Sequence, residues 1–120
     1  MKNYEDNAIL TKSKAFAIRI IKLARHLRND KREFDLASQI LRSGTSIGAN
    51  VKEAVHAHTK PDFYAKLSIA YKEANETEYW LELLYESEII DEKLFTSFHS
   101  DCKEIIKILA SITKKQKEEN

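Results

Sequence analysis

A chain of 120 residues with only two glycines and one proline, 32% charged and 42% hydrophobic, has the length of one domain. It holds too few turn formers for a many-stranded sandwich and too much apolar residue to stay disordered. The net charge of +1 conceals an asymmetry, because residues 1–60 carry +6 and residues 61–120 carry −5. Such a split provides either a basic face for nucleic acid or two halves that attract each other.

A lone cysteine, Cys102, leaves no internal disulfide and no cysteine-based zinc site. MKNYEDNAIL lacks the apolar core of a signal peptide, and no run approaches the ~20 apolar residues of a membrane span. The expectation is a soluble, mostly helical protein of a reducing compartment, folded as one domain over residues 1–120.

Four segments carry helical periodicity. The first, about 8–28, places Ile9, Phe16, Ile20, Leu23 and Leu27 on one face, widened by Ala17 and Ala24. Its opposite face carries Lys14, Lys22 and Arg25, with Ile18 among them. Asn29-Asp30-Lys31-Arg32 breaks the pattern.

The second segment, about 33–57, shows Ala37, Leu41, Gly44, Gly48, Val51 and Val55 at spacings of four and three, with Phe34, Ile40 and Ile47 alongside. Both glycines lie inside it, each costing about 1 kcal/mol relative to alanine. Gly44-x-x-x-Gly48 within an apolar stripe marks a place where another helix comes close.

Thr59 and Asp62 resemble a capping box, and Pro61 falls in the first turn, so a third helix covers about 60–88. Its stripe is Phe63, Leu67, Ala70, Ala74, Thr77, Leu81 and Leu84. Asp91 then caps a fourth helix, about 91–114, with Ile90 and Phe95 as a hydrophobic staple. Leu94, Phe98, Cys102, Ile105, Leu109 and Ile112 form its stripe, and Lys114-Lys115-Gln116-Lys117 closes it. Residues 115–120 read as a frayed tail. Four long helices with short connections predict an all-α, antiparallel, up-down-up-down four-helix bundle.

The third helix has more apolar surface than a bundle needs. Ile69, Glu73, Glu76, Trp80 and Leu83 form a second stripe about 100° from the first, with Tyr79 and Tyr85 nearby. Apolar side chains on an outward stripe point to self-association, the alternative being an irregular bundle with the third helix as its most buried member. The second helix answers with a polar stripe of Gln39, Arg42, Ser46, Asn50 and Glu53, in which Arg42 can pair with Glu73 or Glu76. The predicted oligomer interface is therefore Arg42, Ser46, Asn50, Glu53, Ile69, Glu73, Glu76, Trp80 and Leu83.

The run Arg42-Ser43-Gly44-Thr45-Ser46-Ile47-Gly48-Ala49-Asn50-Val51-Lys52-Glu53-Ala54 resembles the second-helix signature of a bacterial four-helix bundle family. That family is named after open reading frames in 23S rRNA intervening sequences. Asp62-Phe63, Lys66-Leu67-Ser68-Ile69-Ala70 and Lys72-Glu73-Ala74-Asn75-Glu76-Thr77-Glu78-Tyr79-Trp80-Leu81 match its third helix, and the resemblance spans about residues 10–113. It implies a cytoplasmic bacterial protein whose relatives include ring-shaped homopentamers and a basic accessory protein of diversity-generating retroelements. That accessory protein binds nucleic acid and a reverse transcriptase. Its basicity is not shared by this nearly neutral chain.

Catalytic chemistry finds little footing. Glu53-Ala54-Val55-His56 is a literal Glu-x-x-His, but carboxylate-bridged di-metal bundles need two such motifs plus a glutamate from each of two other helices. Neither His26 nor His99 has a glutamate three positions before it. Cys102 sits in a core stripe, and Ser43, Thr45 and Ser46 lie mid-helix without a nearby histidine. Neither glycine belongs to a phosphate loop. No enzyme activity, metal, cofactor or small-molecule substrate is expected.

The competing expectation is contact with RNA or DNA, without sequence specificity, by an accessory factor that also meets a partner enzyme. The basic side chains of the first helix would supply it: Lys14, Arg19, Lys22, Arg25 and Arg28, with Lys12, Lys31 and Arg32 at the margins. No aromatic residues are interleaved as stacking platforms.

Overall fold

In the computed structural model, which describes residues 4–119, the chain forms four helices: α1 (Tyr4–Asn29), α2 (Phe34–Val55), α3 (Lys60–Glu86) and α4 (Glu92–Glu119). Each packs on its neighbours in chain order and α4 returns to α1, while among the described residues the backbones of the diagonal pairs do not come close. Short connections between long helices force each to reverse direction. The result is the antiparallel four-helix bundle, 46 × 21 × 20 Å. Among the described residues no helix is long and apolar enough to cross a membrane.

The helix ends have local causes. Thr59 Oγ1 accepts from the Asp62 amide at 3.2 Å with Pro61 in the first turn, and Asp91 Oδ1 accepts from the Leu94 amide at 2.8 Å. Helix α3 ends at Glu86, two residues short of the expected 88, because Glu88 turns left-handed at φ 66°. The Glu88 amide then bonds to Tyr85 O and the Ile89 amide to Leu84 O, the paired bonds of a Schellman cap. Arg32, at φ 58°, likewise lets the Glu33 amide reach Leu27 O at 2.8 Å after α1.

Helix α4 runs on to Glu119, past the expected end at 114, since Lys, Gln and Glu are good helix formers and no breaker interrupts them. Residue 120 and residues 1–3 lie outside the described part.

Phe16, Ile20, Leu27, Leu67, Leu81, Leu84, Ile105 and Leu109 fill the core, and the stripes of α1, α3 and α4 face it much as their periods require. In α2 the stripe is rotated from its expected centre. Ala37, Ile40, Ser43, Gly44, Ile47, Val51 and Ala54 are buried, whereas Leu41, Gly48 and Val55 stand at the margin toward α1 and Phe34 is exposed. The two glycines therefore line the α1 contact. A Cβ on Gly44 would lie 2.8 Å from both Cγ1 and Cγ2 of Ile20, and one on Gly48 would lie 3.3 Å from the Ser13 backbone oxygen.

On the other side of α2 the buried Ser43 and Thr77 hydroxyls are 2.9 Å apart, and Thr77 also donates to Glu73 O at 2.8 Å. Both hydroxyls are thus satisfied, as burial demands. The loosest of the four contacts, α1 against α4, is filled by Arg19. Its guanidinium reaches Asp101 at 2.6 Å and Ser97 Oγ at 2.8 Å, and lies 4.1 Å from the Phe98 ring centroid.

Gly44→Ala will therefore destabilise the bundle. The Ile20 branches adjoin its own Cβ and cannot swing away, so overpacking at roughly 1–3 kcal/mol outweighs the gain in helix propensity of about 1 kcal/mol. Urea unfolding should show a lower midpoint at unchanged slope. An equal or higher midpoint would contradict the close approach.

Candidate functional site

Two surfaces follow from this packing, one across α2 and α3 and one on the outside of α1. The first is organised by Arg42, one residue before the buried Ser43. Its Nη1 lies 3.2 Å and 3.3 Å from the two Glu73 carboxylate oxygens, while Nη2 is bonded to Glu76 Oε2. Glu76 Oε2 also accepts from the Trp80 indole N–H at 3.1 Å. One guanidinium thus holds two carboxylates a turn apart on α3, and the second carboxylate orients the tryptophan. Desolvation pulls the Arg42 pKa down, but the charges and hydrogen bonds of Glu73 and Glu76 outweigh it and hold the group above its ordinary value.

Along the same groove Glu53 pairs with Lys66 at 3.1 Å. The short polar side chains turn inward to their own helix: Ser46 Oγ donates to Arg42 O at 2.6 Å, and Asn50 Nδ2 donates to Ser46 O at 2.9 Å. Trp80 and Leu83 are half-buried, with Trp80 against the core. Ile69 at 41% and Tyr79 at 52% exposure remain open to solvent. All nine predicted interface residues therefore lie on one α2–α3 face. Arg42, Glu53, Glu73, Glu76 and Trp80 already have side-chain partners within the chain.

The second surface differs from its expected composition. Arg19 does not belong to the outer face of α1, because it is turned to α4 in the seam described above. Arg28 donates to Ser38 Oγ at 2.6 Å, and Lys12 pairs with Glu104 at 3.0 Å. Lys14, Lys22 and Arg25 are exposed and have no ion-pair partner among the described residues. Between them stand Ile18 and Ile21, 48% and 37% exposed. Lys14 also edges a shallow groove floored by Ala17, Gly48 and Ala49.

The residues with chemical potential are dispersed. Exposed Glu53 is bonded to Lys66, and His56 caps the end of α2. Cys102 is buried, near the Ala74 carbonyl, and burial together with the nearby Glu78 charge pushes its thiol up to about 12. It stays protonated at neutral pH. Sequence reasoning passed over one cluster: Glu78 and Glu82 on α3 face His99 on α4. Spacing along one helix marks Glu78 and Glu82 as a pair, but not the residue facing them.

The model of the 23S rRNA-intervening sequence protein family matches residues 5–111. The chain belongs to that family. A crystal structure of a protein of unknown function from the S23 ribosomal protein family of Bacteroides thetaiotaomicron shares this fold with a TM-score of 0.90. The two chains are 52% identical, over 92% of this chain and 99% of that one. No curated protein matches the chain significantly. The resemblance read from α2 and α3 is thereby shown, together with the four-helix fold; the family match carries no activity with it.

Proposed function

We propose that this 23S rRNA-intervening sequence family protein is a non-enzymatic, cytoplasmic scaffold or binding module whose copies associate through the α2–α3 face. The observation that carries the reading is the exposed Ile69 and Tyr79 beside an already ordered network of Arg42, Glu73, Glu76 and Trp80. A surface whose long charged side chains are held in place loses less entropy on docking than a mobile one.

Five copies is the stoichiometry that the resemblance implies. A closed ring of five needs two different faces per copy that complement each other. The outside of α1 supplies the second: it stands diagonally across the bundle from α3 and carries Ile18 and Ile21 framed by Lys14, Lys22 and Arg25. A basic apolar face suits one on which three carboxylates, Glu53, Glu73 and Glu76, meet two cations, Arg42 and Lys66.

Light scattering behind a sizing column should give a mass near five times 13.9 kDa. Ile69→Glu should reduce it to that of one chain while the helical circular dichroism persists. A native monomer would overturn the reading.

The exposed Lys14, Lys22 and Arg25 favour a second reading, an accessory factor that holds RNA or DNA through α1 and meets a partner enzyme. On this reading the native protein retains labelled RNA or DNA at low salt and loses it as salt rises. Lys22→Glu with Arg25→Glu should then abolish retention while the helical circular dichroism persists. No retention by the native protein, or retention that survives the double reversal, would remove this reading.

A further inference from the structure

We propose that Glu78, Glu82 and His99 form a binding site for one divalent transition-metal ion, bridging α3 and α4. One ring nitrogen of His99 and one carboxylate oxygen from each glutamate lie within 4.8 Å of one another. The donors come from two elements: the glutamates stand one turn apart on α3, and the histidine faces them from α4. His99 Nε2 is already 2.9 Å from Glu78 Oε2.

Packing sets the orientation of the imidazole. The His99 ring stacks on Phe95 at 4.8 Å and 22°, and Phe95 stacks on Tyr85 at 4.6 Å and 14°. Glutamate and histidine side chains are 19% and 29% exposed at Glu78 and His99, so an ion has a path in from solvent and an open side once bound. Ligand bonds of about 2.0–2.2 Å in a tetrahedral site separate donor atoms by about 3.4 Å. Reaching that from the present spacing is an adjustment of side-chain rotamers.

One imidazole nitrogen with two carboxylate oxygens suits a borderline ion such as Zn²⁺, Co²⁺ or Ni²⁺, whereas Ca²⁺ and Mg²⁺ favour all-oxygen sets. In the ion-free state His99 Nε2–H donates to Glu78. Binding moves that proton to Nδ1 or to solvent and frees the Nε2 lone pair. Lys103 Nζ stands 3.5 Å from the same Glu78 oxygen, where its ammonium partly balances the two carboxylates. An ion bringing two positive charges displaces it, so Lys103 is a competitor built into the site.

The test titrates the metal-free full-length protein with Co²⁺ and with Zn²⁺, by visible absorption and calorimetry. One ion should bind per chain and raise the thermal midpoint. Glu82→Gln, which leaves the aromatic stack untouched, and His99→Ala should each weaken binding roughly tenfold or more. Lys103→Met should tighten it several-fold, an effect that a merely structural Glu78–His99 contact would not produce. The double variant His56→Ala with His58→Ala, which removes the two exposed histidines that follow α2, should bind as the native protein does. Absent binding, binding insensitive to Glu82→Gln and Lys103→Met, or binding lost in the His56/His58 variant would each overturn the proposal.

Discussion

The close approach of α1 to α2 is the constraint from which the rest of the bundle takes its register. Where Gly44 and Gly48 meet Ile20 and Ser13, an added Cβ on the first would stand 2.8 Å from the isoleucine branches. The helix gives up about 1 kcal/mol of propensity at each glycine and gains dispersion contacts that a side chain would hold apart. With that face of α2 fixed, the opposite face is fixed as well. Ser43 meets Thr77 in the interior, and Arg42, its neighbour in the chain, falls over Glu73 and Glu76. The ordered α2–α3 surface is thus a consequence of glycines on the far side of the same helix.

Charge follows the same logic. Lys12–Glu104, Arg19–Asp101 and Arg42 with Glu73 and Glu76 each join a base from the first half to an acid from the second. Part of the asymmetry along the chain is therefore met within one subunit, with Glu53–Lys66 running in the opposite sense. Exposed pairs of this kind contribute only about 0–1 kcal/mol each, so their main effect is on orientation. Lys14, Lys22 and Arg25 remain outside these pairings and give α1 its basic outer face.

The stripes of α1, α3 and α4 were legible because each repeats at fours and threes with large apolar residues at most of its positions or at both ends, and the pairing of Arg42 with the α3 glutamates followed from facing stripes. The stripe of α2 was misplaced. Glycines at four-residue spacing look like the centre of an apolar face, yet here they mark its flank toward α1, and Ile40 and Ile47 mark the centre. Arg19 looked like a surface cation on α1 because one helix's periodicity does not reveal the cleft beside α4 that receives it. The Glu78, Glu82 and His99 cluster escaped for a related reason. It depends on the relative rotation of α3 and α4, which neither helix records alone. Glu88, with no glycine to announce a left-handed turn, concealed the end of α3.

The central claim, that the α2–α3 face is ordered in advance to receive another copy of the chain, is tested most directly by side-chain oxidative footprinting of the native protein over a range of concentrations. The account predicts that Ile69, Tyr79 and Leu83 become protected as concentration rises, while solvent-facing residues of α4 such as Lys107 do not change. Constant reactivity of Ile69, Tyr79 and Leu83 across the whole range, or protection confined to α4, would contradict it.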